Sequence, residues 1–202
     1  MSDTQLTYYG TNTLLIKKGK TKLLIDPHFS RPGLMHLLSK IGPDQRRIAD
    51  GLGAAKIMNL EAVLLTHTHY DHAMDVPEVL NQVGGTLYGS ASAINLLHKS
   101  ARIPSRVKIA ALGKSYPIGN SQVVFHPARH IALPWPLSRL LRNRGRIEQP
   151  LFPSVWFWRY QCGEVYAIQI DRTLIFGSAA CIPGAYRDLD TVSYTHLRAH
   201  ET

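Results

Sequence analysis

Apolar residues fall into short runs broken by polar turns along most of the chain. Leu6 to Tyr9 and Thr13 to Ile16 are β-rich, and Lys17-Lys18-Gly19-Lys20 is a polar turn. Lys22 to Ile25 resumes an apolar strand that ends at Asp26-Pro27. From 28 to 59 the pattern becomes irregular, with Gly, Pro and charged residues around short helices, and predicts an excursion over the surface. Ala62 to Leu65 then forms a short buried strand that runs straight into a polar, histidine-rich stretch. Val76 to Val83 predicts a short helix, Thr86 to Tyr88 a strand, Ala91 to His98 a helix and Val107 to Ala111 a strand. Ser121 to His126 is a strand leading to Pro127-Ala128-Arg129-His130, and three more strand candidates follow at Val155 to Tyr160, Val165 to Ile170 and Thr173 to Phe176. Strands alternating with helices predict an α/β arrangement.

Composition narrows this picture. A chain of 202 residues suits one domain, and 45% apolar with 18% charged residues is enough to bury a core and excludes a disordered chain. The formal net charge of +9 fits either an ordinary basic enzyme or attraction to an anionic partner. Its one local concentration is Arg139, Arg142, Arg144 and Arg146 beside Leu137, Leu140 and Leu141. That stretch reads as a basic amphipathic helix, making peripheral contact with a membrane or lying over a substrate entrance, or as a solvated helix face. The interleaving of aromatic and basic residues that marks a nucleic-acid platform is missing, so no nucleic-acid partner is expected. Two cysteines make no disulfide framework, the first residues are polar, and no apolar run is long enough for a bilayer. The expected compartment is a reducing cytoplasm.

Chemistry concentrates in Thr66-His67-Thr68-His69-Tyr70-Asp71-His72. In extended backbone His67 and His69 project to the same side, because side chains alternate with period two. Two imidazoles on one side can chelate a borderline-soft divalent ion such as zinc. Asp71 and His72, on the next turn, point elsewhere and begin a second metal position.

His-x-His-x-Asp-His after a short hydrophobic strand resembles the signature of the metallo-β-lactamase superfamily. Tyr9-Gly10-Thr11-Asn12-Thr13-Leu14-Leu15-Ile16, followed by Leu24-Ile25-Asp26-Pro27, resembles the opening of its lactonase-like and N-acyl-phosphatidylethanolamine phospholipase D-like branches. Pro127-Ala128-Arg129-His130 resembles the third motif, and the resemblance covers about residues 6 to 190. It implies a four-layer αββα sandwich in which His67, His69 and His130 hold the first metal and Asp71 and His72 belong to the second. It further implies one or two zinc ions and a hydrolase that works through a metal-activated water, with Asp71 as the catalytic carboxylate. A small-molecule or lipid-like anionic substrate is expected, phosphodiester or lactone first. Asp26 has two readings: support for a ligand histidine through a hydrogen bond, or a turn residue before Pro27.

One departure from the family pattern stands out. The superfamily places a Gly-Asp pair after a late strand, and its aspartate bridges both metals. Here Phe176-Gly177-Ser178-Ala179-Ala180 occupies that place, and the Ser178 hydroxyl is a much poorer ligand. Cys181, three residues on, either supplies a thiolate or is a buried small apolar residue. A single-metal enzyme, or a non-catalytic binding protein of the same fold, is therefore the alternative. Residues 1–191 are read as one incomplete domain of this fold. Val192 to Thr202 resembles translated sequencing adapter and is set aside as a non-native tail; the rival reading takes His196 and His200 as a metal pair at helical spacing.

Overall fold

The computed structural model describes residues 4–96, 106–130, 145–151, 154–177, 179–183, 185–187, 189 and 193–197, the last five by backbone alone. β1 (Thr4–Tyr8), β2 (Leu14–Lys18) and β3 (Thr21–Ile25) form an antiparallel ribbon, with Leu14 opposite Ile25 and Leu15 opposite Leu24. β4 (Lys40–Ile41) and α1 (Gln45–Ala54) follow, then β5 (Ala62–Leu64), which pairs in parallel with β3. After α2 (Tyr70–Ala73) and α3 (Val76–Val83), β6 (Thr86–Gly89) and β7 (Val107–Ile109) extend the sheet in parallel. The order across this first sheet is β1-β2-β3-β5-β6-β7.

The second sheet begins with β8 (Ser115–Ile118) and β9 (Ser121–Pro127), and continues with β12 (Tyr166–Ile170) and β13 (Thr173–Gly177). Between them lie β10 (Arg129–His130) and β11 (Val155–Trp156), which pair respectively with β14 (Ala179–Ala180) and with β4. β15 (Ser193–Leu197) lies parallel to β13 at one edge, so the segment set aside as a tail adds a strand to the sheet. Neither the His196 side chain nor His200 is among the described residues.

Period-two alternation sorts the central strands into two cores. Leu14, Ile16, Leu23, Ile25, Ala62 and Leu64 face the second sheet and meet Phe125, Ile168 and Ile175. Leu15, Leu24, Val63 and Leu65 face the other way, against Ile48 and Leu52 of α1 and Val76, Val79 and Leu80 of α3. Each such Leu or Ile contributes about 1.5–3 kcal/mol when fully buried, so the two-sided strands dominate the stability of the sandwich. The outer face of the second sheet, with Leu174 and Phe176, is packed by Tyr186 and Leu189. Of the four layers expected, the described residues supply one helical layer and both sheets; their α-helices all precede residue 84.

Some elements differ from the sequence expectation. α1 lies inside the irregular stretch expected to hold short helices, and Gly51 and Gly53 blur its bounds in the sequence. Asp44 caps it, accepting from the Arg46 and Arg47 amides at 3.1 and 3.0 Å. Gly51 is there for space: a Cβ would sit 2.4 Å from Cδ1 of Phe29. Ala91–Leu96 is a 3-10 turn rather than an α-helix, with the Ala93 amide donating to the Ser90 carbonyl at 2.9 Å. Ser92 Oγ in that turn accepts from the distant Ile147 amide at 3.1 Å. β8, unforeseen, carries Pro117 and sits at the sheet edge, where a missing N–H is harmless. The candidate Val155 to Tyr160 is a strand only at its start and turns into a 3-10 segment at Phe157–Arg159. Among the described residues no helix is long and apolar enough to cross a membrane.

Candidate metal centre

β3 and β5 are parallel neighbours, so the residues just beyond their carboxyl ends meet, the usual place for a site in an α/β sheet. Asp26 leaves β3 in a left-handed conformation (φ 45°) and is fully buried. Its carboxylate accepts the Thr66 amide at 2.9 Å and the Thr66 hydroxyl at 2.5 Å. The same carboxylate meets His72 Nδ1 at 2.8 Å, which orients that ring so that Nε2 faces Asn12 and Asp71.

His69, the residue before α2, has extended backbone (φ −64°, ψ 157°). His67 is buried, with Nε2 3.1 Å from His69 Nδ1. His130 arrives on β10, which forms a small two-stranded sheet with β14 and sets His130 opposite Ala179. The three rings form a triangle with centroids 4.8 Å (His67–His69), 5.0 Å (His67–His130) and 4.7 Å (His69–His130) apart. His72 packs against His67, with ring centroids 3.9 Å apart. Burial pulls the His67 pKa well below its ordinary value, and the neighbouring His72, His69 and His130 add to this. His67 is thus a neutral imidazole with a lone pair to offer, the form that binds metal.

Asp71 and His72 form a second group. Burial pushes the Asp71 carboxyl up, but His72, His28 and His69 outweigh it and leave the group below the usual carboxylate range. For His72, burial pulls the imidazole down, while Asp71 and Asp26 outweigh burial and raise it. Asp71 Oδ2 lies 3.6 Å from His72 Nε2. The Asn12 amide nitrogen sits against both, 3.2 Å from that oxygen and 2.9 Å from that nitrogen.

The fourth group near the histidine triangle is Cys162, which is buried. One ligand atom from each of His67, His69, His130 and Cys162 lies within 4.8 Å of all the others. Cys181 is exposed rather than buried and is not in this cluster. Ser178 lies outside the described residues, as do Arg139, Arg142 and Arg144, whereas Arg146 is exposed and ion-paired with Glu164.

Sequence reasoning did not single out Cys162, Asn12 as a contact, Asp75 or His28. Asp75, buried just after α2, accepts the Phe29 and Ser30 amides at 2.6 and 2.7 Å and the Ser30 hydroxyl at 2.6 Å. It thereby ties the helix carrying Asp71 and His72 to the loop after β3. His28 in that loop is buried edge-on to Tyr70, and burial lowers its pKa to about 4. Only the Gly10-Thr11-Asn12-Thr13 and Asp26-Pro27 motifs marked these loops.

A family model for the metallo-beta-lactamase superfamily matches residues 6–167. The chain is 28% identical over 127 residues to a UPF0173 metal-dependent hydrolase of Agrobacterium fabrum, covering 62% of this chain and 47% of that protein. A UPF0173 metal-dependent hydrolase of Oenococcus oeni is 34% identical over 83 residues, 41% of this chain and 29% of that protein. The chain thus spans less than half the length of these curated relatives. A solved structure described as the peroxy diiron species of chemotaxis sensor ODP superimposes with a TM-score of 0.51 at 14% identity, over 87% of this chain and 60% of that one. The last likeness is one of fold alone. With the family model matching from β1 into β12, the chain belongs to the metallo-β-lactamase superfamily.

Proposed function

We propose that this chain is a metal-dependent hydrolase whose ion is held by His67, His69 and His130. The observation that carries the reading is the convergence of three imidazoles, His67 buried and His69 and His130 half-buried, with a buried thiol beside them. Nitrogen and sulfur donors at this spacing fit zinc well. A divalent ion there supplies Lewis acidity and brings the pKa of a bound water toward neutrality. Asp71, kept below the usual carboxylate range by the neighbouring histidines, would be the carboxylate placed to take a proton, and Asp26 holds the His72 ring in place. The Asn12 amide occupies the space between Asp71 and His72 and so disfavours a second ion, which supports a single-metal centre.

The substrate proposed is a lipid-like or small anionic phosphodiester or lactone, in keeping with the lactonase-like and phospholipase-D-like opening motif. Beside the site Phe157 packs edge-on to Tyr70, with centroids 6.1 Å apart, and Trp156 and Trp158 stack at 4.7 Å on the surface. Leu34, Met35 and Leu38 are exposed on the segment leading into β4, the partner of β11. This apolar rim supports an apolar substrate tail or peripheral contact with a lipid surface.

The test is metal analysis of protein purified without chelator, with hydrolysis of a chromogenic phosphodiester and of a lactone. Bound zinc and turnover of either substrate, both lost in His67→Ala, are expected. Protein that holds no transition metal and leaves both substrates intact refutes the proposal.

A further inference from the structure

Resting on the metal-centre reading above, we propose that Cys162 is the fourth protein ligand of the ion held by His67, His69 and His130. A tetrahedral zinc with bonds of about 2.0–2.1 Å to nitrogen and about 2.3 Å to sulfur sets ligand–ligand separations of about 3.3–3.6 Å. The four ligand atoms all lie within 4.8 Å of one another, so contraction by about an ångström closes the set.

The chain is built to hold the thiol at this point. Thr68, between two of the histidines, donates its amide to the Cys162 carbonyl at 2.9 Å. Its hydroxyl reaches the same carbonyl at 3.1 Å and the Gln161 carbonyl at 2.6 Å. The residue that presents two imidazoles therefore also anchors the cysteine. On the other side Gly163 has φ +66°, and a Cβ there would meet the hydroxyls of Ser92, Ser90 and Thr68 at 2.9, 3.0 and 3.1 Å. Its amide donates to the Gly145 carbonyl at 2.9 Å. Cys162 is thus fixed from both flanks and buried against the imidazoles, whereas Cys181, the only other cysteine in the chain, is exposed.

The consequence is chemical. Three histidines and one thiolate fill a four-coordinate site, whereas hydrolytic zinc centres keep one of the four positions for water. Water for the proposed hydrolysis therefore needs a fifth position beside Cys162 or the departure of its sulfur.

Cobalt(II) separates the outcomes, because it reports its ligands by absorption. Metal-free protein titrated with Co²⁺ is expected to show tetrahedral ligand-field bands in the visible and a sulfur-to-cobalt charge-transfer band in the near ultraviolet. Cys181→Ser should keep both. Cys162→Ser should keep the visible bands, lose the near-ultraviolet band and bind cobalt more than about tenfold more weakly, since even supporting partners of metal ligands cost that much. A charge-transfer band that survives in Cys162→Ser, or is absent from wild-type protein that binds cobalt, overturns the proposal and leaves the histidine centre standing. Wild-type protein that binds no cobalt overturns both. The unmutated chain gives an independent check. Zinc loading should slow alkylation of Cys162, followed by mass spectrometry, while Cys181 in the same molecule reacts unchanged; equal Cys162 rates with and without zinc refute the ligand.

Discussion

Replacing Asp75 with alanine should be among the most damaging single changes outside the histidine cluster. The carboxylate is fully buried and receives three donors: the Phe29 amide, the Ser30 amide and the Ser30 hydroxyl. In the alanine variant the hydroxyl can turn elsewhere, but the two amides cannot. An unsatisfied buried donor costs about 1–3 kcal/mol, so two cost about 2–6 kcal/mol, and about 3–4 kcal/mol is expected after relaxation. Against a total stability of about 5–15 kcal/mol that is a large fraction. Asp75→Asn is the control: its amide oxygen can still accept both backbone donors, and its nitrogen can donate to Ser30 Oγ, so it should cost about 1 kcal/mol. Burial, against the pull of the Ser30 and Phe29 donors, pushes the Asp75 carboxyl up to about 6 from 3.8. The folded chain then holds that proton more tightly than the unfolded one. The resulting stabilisation is full below pH 3.8 and is lost as pH rises through 6. Between about pH 5 and pH 7 the loss amounts to about 1 kcal/mol, and Asp75→Asn should lack it. Urea denaturation followed by circular dichroism measures all of this. An alanine variant within about 1 kcal/mol of wild type, or an asparagine variant as damaged as alanine, would refute the reasoning.

Three further outcomes follow from the site. Gly163→Ala should destabilise by about 1–3 kcal/mol, because a non-glycine residue is strained at its positive φ and the new Cβ meets three hydroxyls; an unchanged urea midpoint would contradict the packing described. Asp26→Asn removes one of the two carboxylates that raise the His72 imidazole, so His72 should titrate lower in metal-free protein by NMR, and an unmoved titration would remove Asp26 from its role. Chelation should lower the melting temperature of zinc-loaded protein, because an ion at a thousandfold its dissociation constant contributes about 4 kcal/mol to the folded state; a melting curve indifferent to both chelator and added zinc would argue against a metal held by the folded chain.

What the sequence discloses is what is local. The apolar runs at Leu14 to Ile16, Leu23 to Ile25 and Ala62 to Leu65 mark the central strands because both faces of those strands are buried. His67, His69 and His72 stand out because their spacing is short. Cys162, Asn12 and Asp75 do not stand out, because their partners lie 94, 59 and 46 residues away and nothing in their neighbours' identity forecasts the meeting. Cys181 drew notice by adjacency to Ser178, yet it faces outward while Cys162 is folded inward by Thr68 and Gly163. β8 was hidden because Pro117 is tolerated on an edge strand, and Gly51, which gives way to the Phe29 ring, blurred the bounds of α1 in a stretch expected to hold short helices.

The two-residue ladder between β10 and β14 has a kinetic consequence. His130 is set beside Ala179, far from the His67 to His72 stretch in sequence, and Cys162 comes from a third region. Closing such distant contacts is entropically slow, so the cluster is expected to close after the first sheet and its helices, whose contacts join nearer neighbours. An ion that needs all these donors binds the finished chain but not the transition state. Zinc should therefore leave the refolding rate nearly unchanged and slow unfolding instead, placing the benefit of the metal in the lifetime of the folded molecule.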